Sequence, residues 1–279
     1  MVVTVIGLGL IGGSMAIDMK NSGFASKIIG VDSSKINAEF AVNIGFVDVV
    51  EPLLSAISKS SLVIIATPSD SAIALAQQVL DNIEHQVVID VCSTKVQISE
   101  AIKNKKMRRN FVLTHPMAGT EFSGPWAAKA NLFTSKVSIL CDVDKSDNEA
   151  VLLVEKFYDM LNMSIIRMSS IDHDIHAAYV SHISHISSFA LALTVLEKEK
   201  DEKQIFNLAS GGFDSTVRLA KSSAAMWTPI FNQNKNNLLP VIDTYIEKLN
   251  LLKNSIEQNN FSELKYLIER ANKIKRVLK

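Results

Sequence analysis

Through its first half the chain alternates short β-branched runs with stretches in which apolar residues recur every three or four positions. Val2 to Ile6 reads as a strand and Ile11 to Asn21 as a helix, and Ile28 to Val31 with Lys35 to Ile44 repeats the pair. The alternation continues through strands at Leu62 to Ala66, Val87 to Val91, Phe111 to Thr114 and Val137 to Cys141, with helices over Asp70 to Leu80, from about Lys95, and over Asn148 to Leu161. Short strands separated by helical patterns are the mark of βαβ crossovers, which predicts an α/β, Rossmann-type doubly wound parallel sheet with helices on both faces. After Ile165 and Ile166 the pattern changes, and from Asp172 onward only helical periodicity remains. The boundary falls near Met168, giving an expected nucleotide-binding domain over 1–168 and an all-α C-terminal domain over 169–279.

Within the helical part, His173 to about Lys198 is apolar along most of its length, through Ala177, Val180, Ile183, Ile186, Phe189 and Leu193. A helix that apolar all round is expected at the centre of its domain. Farther on, Leu238, Ile242, Tyr245, Leu249, Leu252 and Ile256 recur at alternating spacings of four and three. This heptad-like seam fits either packing inside the domain or a dimer interface. Beyond it, the basic residues from Lys265 to Lys279 alternate with Leu267, Ile268, Ile274 and Leu278, the pattern of a solvated helix face.

Composition narrows the class. Of 279 residues, 47% are hydrophobic and 21% charged, which excludes disordered, collagenous and low-complexity chains. Twenty-nine basic residues balance twenty-nine acidic ones, so there is no global field to attract nucleic acid or an anionic membrane, and a charged ligand must be recognised locally. No uninterrupted apolar run approaches the ~20 residues of a membrane span, so no membrane partner is expected. Cys92 and Cys141 lie far apart without metal-ligand spacing, and the first residues do not resemble a signal peptide; the expectation is a reduced, cytoplasmic protein.

Candidate chemistry begins with Gly7-Leu8-Gly9-Leu10-Ile11-Gly12, a G-x-G-x-x-G between a strand-like and a helical run. Gly7 permits the tight turn, Gly9 lets backbone approach a pyrophosphate, and Gly12 lets helix and strand pack closely. The helix N-terminus adds partial positive charge. Asp32 ends the second strand, where a carboxylate can accept from both ribose hydroxyls; without an arginine beside it this favours NAD over NADP. Asp32 could equally cap the next helix. Thr67-Pro68-Ser69 reads as a turn skirting the cofactor, with Ser69 capping the helix after it.

Two further segments lie at the C-terminal edge of the expected sheet, where open α/β folds bind ligands. These are Asp90-Val91-Cys92-Ser93-Thr94-Lys95 and Thr114-His115-Pro116-Met117-Ala118-Gly119-Thr120-Glu121. A histidine there can take a proton near neutral pH, and a serine can orient a hydroxyl. The bland alternatives are a loop histidine and a serine capping the helix from Lys95. Cys92 reads as a small buried hydrophobe, and Lys95 as reaching phosphate or substrate, or lining the helix start.

With S-H-I-S-H at 181–185, G-G-F at 211–213, V-R-L-A at 217–220 and M-W at 226–227, the chain resembles the prephenate and arogenate dehydrogenases of tyrosine biosynthesis along nearly its whole length. The resemblance implies NAD-dependent oxidative decarboxylation: hydride leaves the ring carbon bearing the 4-hydroxyl, the ring carboxylate departs as carbon dioxide, and aromatisation drives the reaction. It implies that His115 takes the hydroxyl proton and that Ser93 holds hydroxyl and histidine in register. His182, His185 and Arg218 would line the substrate pocket, Arg218 as a fork for a carboxylate. Glu121 and Trp227 would stand at its mouth, Trp227 being a candidate to reach across a dimer. The cofactor would be NAD, held by Gly7, Gly9, Leu10, Ile11, Gly12, Asp32, Thr67 and Ser93. The helical part would be a dimerisation domain of a homodimer. The chain departs from the pattern at Ser215, where relatives often carry an acid; Asp214 stands one residue earlier. The length would leave no space for a fused mutase or regulatory domain.

Four of the six histidines, His173, His176, His182 and His185, fall within thirteen residues. On a regular helix the first two lie nearly opposite the last two, so no single metal shell is expected. His173 and His176 then read as first-turn residues whose neighbouring acids favour the helix dipole. Three other readings stay open: arogenate as substrate, another β-hydroxyacid-type dehydrogenase, and a nucleotide-sensing module without catalysis. The second would need a lysine on the long helix, and none occurs from His173 to Val195.

Overall fold

The computed structural model describes residues 1–199, 205 and 210–277. The chain divides into two compact units, Met1–Asn234 and a second beginning at Lys235. The first carries eight strands: β1 (Val2–Ile6), β2 (Lys27–Val31), β3 (Val49–Val50), β4 (Leu62–Ile65), β5 (Val87–Asp90), β6 (Phe111–Pro116), β7 (Val137–Cys141) and β8 (Ser164–Met168). They form one sheet in the order β3-β2-β1-β4-β5-β6-β7-β8.

Six neighbouring pairs are parallel, as expected of a doubly wound parallel sheet, and one pair, β6–β7, is antiparallel. The reason lies in the connection: residues 117–136 carry only a short 3₁₀ turn, Pro125–Ala127, and no α-helix to bring the chain back for a parallel return. β3 is too short for a periodicity to register, and so is the six-residue α3.

Helices α1 (Leu10–Ser22), α2 (Lys35–Ile44) and α6 (Asn148–Met160) cover one face of the sheet, while α3 (Leu53–Ser58), α4 (Ser69–Asp81) and α5 (Val96–Ile102) cover the other. Each β4 side chain is buried, Leu62 and Ile64 in the first core and Val63 and Ile65 in the second. A strand covered on both faces is uniformly apolar, hence the continuous runs in the sequence.

After β8 a continuous helical stretch begins with α7 (Ser170–Ala177), passes through a π turn at Ala178–His182, and ends as α8 (Ile183–Glu199). Among the described residues of this unit, α9 (Gly211–Val217) and α10 (Ala224–Gln233) follow, with a 3₁₀ turn at Arg218–Lys221 between them. The stretch is not a buried central helix, contrary to its uniform apolarity: Val180 is 66% and Leu193 67% exposed. Over Ser170–Lys198 it is also long and apolar enough, by length and composition, to cross a membrane. Counting uninterrupted runs missed this because histidines and serines break the run while the mean hydropathy stays high.

The second unit consists of α11 (Lys235–Glu257) and α12 (Phe261–Ala271), joined by a turn in which the Asn260 side chain caps α12 by accepting from the Glu263 amide at 3.2 Å. Along the α11 seam Leu249 and Ile256 are exposed. The basic residues from Lys265 to Arg276 are exposed, as their pattern suggests; Leu278 and Lys279 lie outside the described residues.

Candidate active site

The glycine turn joins β1 to α1. Gly7 has φ +93°, and a Cβ there would lie 2.5 Å from the Ala66 carbonyl oxygen, so only glycine fits between β1 and the end of β4. A Cβ on Gly12 would lie 2.0 Å from the Gly7 oxygen, which makes helix and turn inseparable. At Gly9 a Cβ would meet nothing within 4 Å. That open side faces a helix start with no side-chain cap, where the amides of Leu10, Ile11 and Gly12 precede the first intrahelical bond.

Asp32 accepts from the Leu8 amide at 2.8 Å through Oδ2 and from the Ser34 amide at 2.8 Å through Oδ1. It thus braces the turn and shapes the start of α2, while Ser34 caps that helix by accepting from the Asn37 amide. Oδ1 also accepts from the Asn37 side-chain amide at 3.5 Å, and since a carboxylate has about four acceptor sites, one remains on Oδ2 for a ribose hydroxyl. At the end of β4 the hydroxyls of Thr67 and Ser69 are buried without a partner. Ser69 therefore does not cap α4, whose N-cap is Pro68. Open glycine, uncapped amides, a carboxylate with a spare lone pair and an orphaned Thr67 hydroxyl together fit a dinucleotide.

The ends of β5 and β6 are locked together by a fully buried ion pair between Lys95 and Asp90. The Lys95 ammonium also donates to the Thr114 carbonyl at 2.6 Å, one residue before His115. Burial alone would lower the Lys95 pKa, but the Asp90 charge and hydrogen bond outweigh it and hold the pKa above its ordinary value. Lys95 therefore neither reaches a ligand nor merely lines the helix start; it fastens the turn carrying the half-buried Ser93 to the strand carrying His115. Thr114 extends the lock, its hydroxyl donating to the Asp90 carbonyl at 2.5 Å and lying 2.5 Å from the Tyr158 hydroxyl of α6. Cys92 is buried, and burial first, then the Asp90 charge, pushes its thiol pKa up, so it is no nucleophile.

His115 lies inside β6, not in the loop after it, and is 8% exposed. Its Nδ1 is 2.8 Å from Nε2 of His173, whose Nδ1 is 2.8 Å from the Asp174 carboxylate. Asp174 also accepts from the amides of Lys95 at 2.8 Å and Val96 at 2.9 Å. The α5 N-terminus is thus capped from the long helix and not by Ser93. Burial, then the neighbouring His173, Lys95 and His182, hold the His115 pKa well below the usual histidine range, so the ring is neutral and able to accept a proton at neutral pH.

The π turn places His182. One extra residue per turn rotates the remainder of the helix by roughly 100°, so His173 and His182 are not opposite as regular helix geometry expects. His182 is fully buried, with Nδ1 3.1 Å from the Asn234 amide nitrogen, which donates to the Asp174 carbonyl at 2.6 Å. Burial lowers the His182 pKa to about 4. Even so, no three metal-ligating side chains cluster among the described residues.

His185 stacks on Trp227, ring centroids 3.5 Å apart, and His182 meets the same indole edge-on at 5.9 Å. Trp227 is 6% exposed within the chain and forms an internal wall. His182 Nε2 and Trp227 Nε1 are buried without partners. Arg218, half exposed, pairs at 3.4 Å with Glu121 from the loop after β6. Asp214 pairs with Lys221 at 2.8 Å, and the Ser215 hydroxyl donates to the Gly212 carbonyl at 2.9 Å, leaving Glu121 as the acid on Arg218.

Of the sequence-derived candidates, His115, Ser93, His182, His185, Trp227, Arg218 and Glu121 lie on segments that this network brings toward the C-terminal edge of the sheet. His173, Asp174 and Asn234 were not anticipated as site residues. No local signal marks Asp174 as the cap of a helix some eighty residues earlier.

Two family models match the chain, the nucleotide-binding domain of prephenate dehydrogenase over residues 15–167 and its dimerization domain over residues 169–270. A prephenate dehydrogenase of Bacillus subtilis (strain 168) is 33% identical over 262 residues, 92% of this chain and 71% of its own. The crystal structure of A. aeolicus prephenate dehydrogenase with hydroxyphenyl propionate and NAD+ superimposes with a TM-score of 0.89 at 30% identity, covering 99% of this chain and 97% of that one. Synechocystis arogenate dehydrogenase does so with a TM-score of 0.80 at 28% identity, covering both chains completely. Matched across both parts by the family's models and along almost all its length by these relatives, the chain belongs to the prephenate dehydrogenase family.

Proposed function

We propose that this protein oxidises prephenate with NAD+ to 4-hydroxyphenylpyruvate and carbon dioxide, a step of tyrosine biosynthesis. The observation that carries the reading is His115: a neutral, buried histidine at the sheet's C-terminal edge, bound to the Ser93 turn through Lys95 and Thr114. Gly7, Gly9, Leu10, Ile11 and Gly12 would hold the pyrophosphate, Asp32 the ribose, and Thr67 and Ser93 the nicotinamide half. When bound, NAD+ accepts the hydride.

The chain's own residues handle the rest. Ser93 orients the substrate 4-hydroxyl, and His115 takes its proton as the carbon–hydrogen bond breaks, which general-base catalysis requires to be within hydrogen-bond reach. Arg218 holds a substrate carboxylate, drawn from its pairing with Glu121. His182, His185 and Trp227 wall the pocket, and their two orphaned nitrogens support polar substrate groups on that side. The nucleotide-binding domain spans 1–168 and the helical domain 169–279.

The uncovered apolar side chains of the long helix and of α11 support a homodimer, since the matched segment 169–270 is a dimerization domain in the family. A protein–protein cover also accounts for the membrane-like apolarity of Ser170–Lys198 without lipid. The zero net charge supports small-molecule partners over nucleic acid. Two free, buried cysteines support a reducing, cytoplasmic setting.

The test is NADH formation measured with prephenate and with arogenate in turn, each with and without tyrosine. Turnover of prephenate supports the reading. Turnover of arogenate alone replaces the substrate, and no turnover of either removes the activity.

A further inference from the structure

With His173 neutral, as its burial favours, the hydrogen bonds around His115 leave one consistent set of proton positions. The Asp174 carboxylate can only accept, so His173 must carry its proton on Nδ1, 2.8 Å away. A neutral His173 then presents a lone pair at Nε2, and the 2.8 Å contact to His115 requires His115 to donate from Nδ1. Nε2 of His115 is left as the unprotonated nitrogen. The rings meet edge to face, centroids 5.0 Å apart at 63°, as expected when a ring N–H points at a neighbouring lone pair.

We propose that His173 and Asp174 are positioning residues that hold His115 in this tautomer. The proposal rests on the reading of His115 as the base. A free imidazole carries its proton on either nitrogen, so a base without such an anchor would spend part of its time with Nε2 blocked. Asp174 itself is fixed from both sides, by the Lys95 and Val96 amides at the start of α5 and by its own buried backbone, whose carbonyl accepts from Asn234 at 2.6 Å.

The same chain serves the proton transfer. When the substrate hydroxyl gives its proton to His115 Nε2, the resulting imidazolium donates from Nδ1 to His173. The negative charge of Asp174 lies one ring farther on and offsets the positive charge. Other charged or titratable groups close to this chain are Lys95, which disfavours the imidazolium, Asp90 at the end of β5, and His182 on the same long helix. At the adjoining His173 ring the Asp174 charge opposes the effect of the Lys95 ammonium.

The test has two readouts. In the free enzyme labelled with ¹⁵N at histidine, long-range ¹H–¹⁵N spectra should show His115 and His173 both protonated at Nδ1. In Asp174→Asn the His115 signal should move toward the Nε2–H form, kcat should fall about 10²- to 10⁴-fold with KM within about threefold, and the acid limb of the kcat profile should shift to lower pH, because a negative charge has been removed. Should loss of the α5 cap unfold that variant, His173→Gln keeps the test: its side-chain oxygen can still accept from His115 Nδ1, so it should retain at least about ten times the kcat of His173→Ala. NAD+ affinity, measured by protein fluorescence, should match wild type in each folded variant. His115 found as Nε2–H in the wild type, or equal kcat for His173→Gln and His173→Ala, would overturn the proposal. A wild type inactive on prephenate and arogenate yet showing both Nδ1–H signals would remove the assigned activity and leave the tautomer lock standing.

Discussion

The buried pair between Lys95 and Asp90 makes a quantitative prediction. Both side chains are fully buried, and Lys95→Met removes the charge while keeping most of the volume. The variant strands the Asp90 carboxylate with only two amide donors, Cys92 at 3.1 Å and Thr114 at 3.3 Å, and leaves the Thr114 carbonyl without its 2.6 Å ammonium donor. Breaking a buried pair by removing one partner costs about 3–5 kcal/mol. For a chain of this size that lowers the melting temperature by roughly 6–20 °C. The double variant Asp90→Asn/Lys95→Met removes the stranded charge and should be more stable than Lys95→Met alone, because the two sites share one interaction. The assay is denaturant or thermal unfolding of the four proteins of the cycle at one protein concentration, since dimerisation would couple to stability. A Lys95→Met protein as stable as wild type, with KM for prephenate or NAD+ raised tenfold or more, would refute this reasoning and make Lys95 a ligand-binding residue.

Stability should fall in mild acid. Unfolded, His182 binds a proton below about 6.5, whereas folded it stays neutral down to about 4. The unfolded chain holds the extra proton in that window, so the contribution is complete above 6.5 and is lost as pH falls toward 4, about 3 kcal/mol in all. His115, His173 and His185 shift in the same direction, and urea midpoints at pH 7 and pH 5 should show the loss; equal midpoints would contradict the burial argument. Arg218→Ala should raise KM for prephenate while leaving kcat nearly unchanged, because the guanidinium holds a carboxylate in ground and transition states alike. Steady-state kinetics check this, and an unchanged KM would move the anion site elsewhere.

Most of the sheet domain was legible because its longer elements are local patterns: strands buried on both faces read as apolar runs, and Gly7 and Gly12 mark a turn and helix start that admit no Cβ. Strand positions held to within a residue or two. What stayed hidden was set by tertiary contacts. Asp174 lies beside His173 in sequence, yet its oxygens serve the start of α5, so its role has no local spacing to betray it. Regular helix geometry placed His182 opposite His173 because a π turn leaves no mark in the hydrophobic pattern. The long helix was expected to be buried because apolarity says only that a face will be covered, not whether its own chain or another covers it. For Lys95 the sequence leaves open a ligand contact or a place at the helix start, because a lysine beside a catalytic turn looks alike whether its ammonium points out or inward to a carboxylate.

The central claim is that His115 is the base of an NAD-dependent oxidation. It is tested most directly by His115→Asn, with NADH formation from prephenate and prephenate binding both measured against wild type. Turnover should fall by about 10² to 10⁴ while the dissociation constant for prephenate stays near wild type. Near-wild-type turnover by His115→Asn would contradict the assignment.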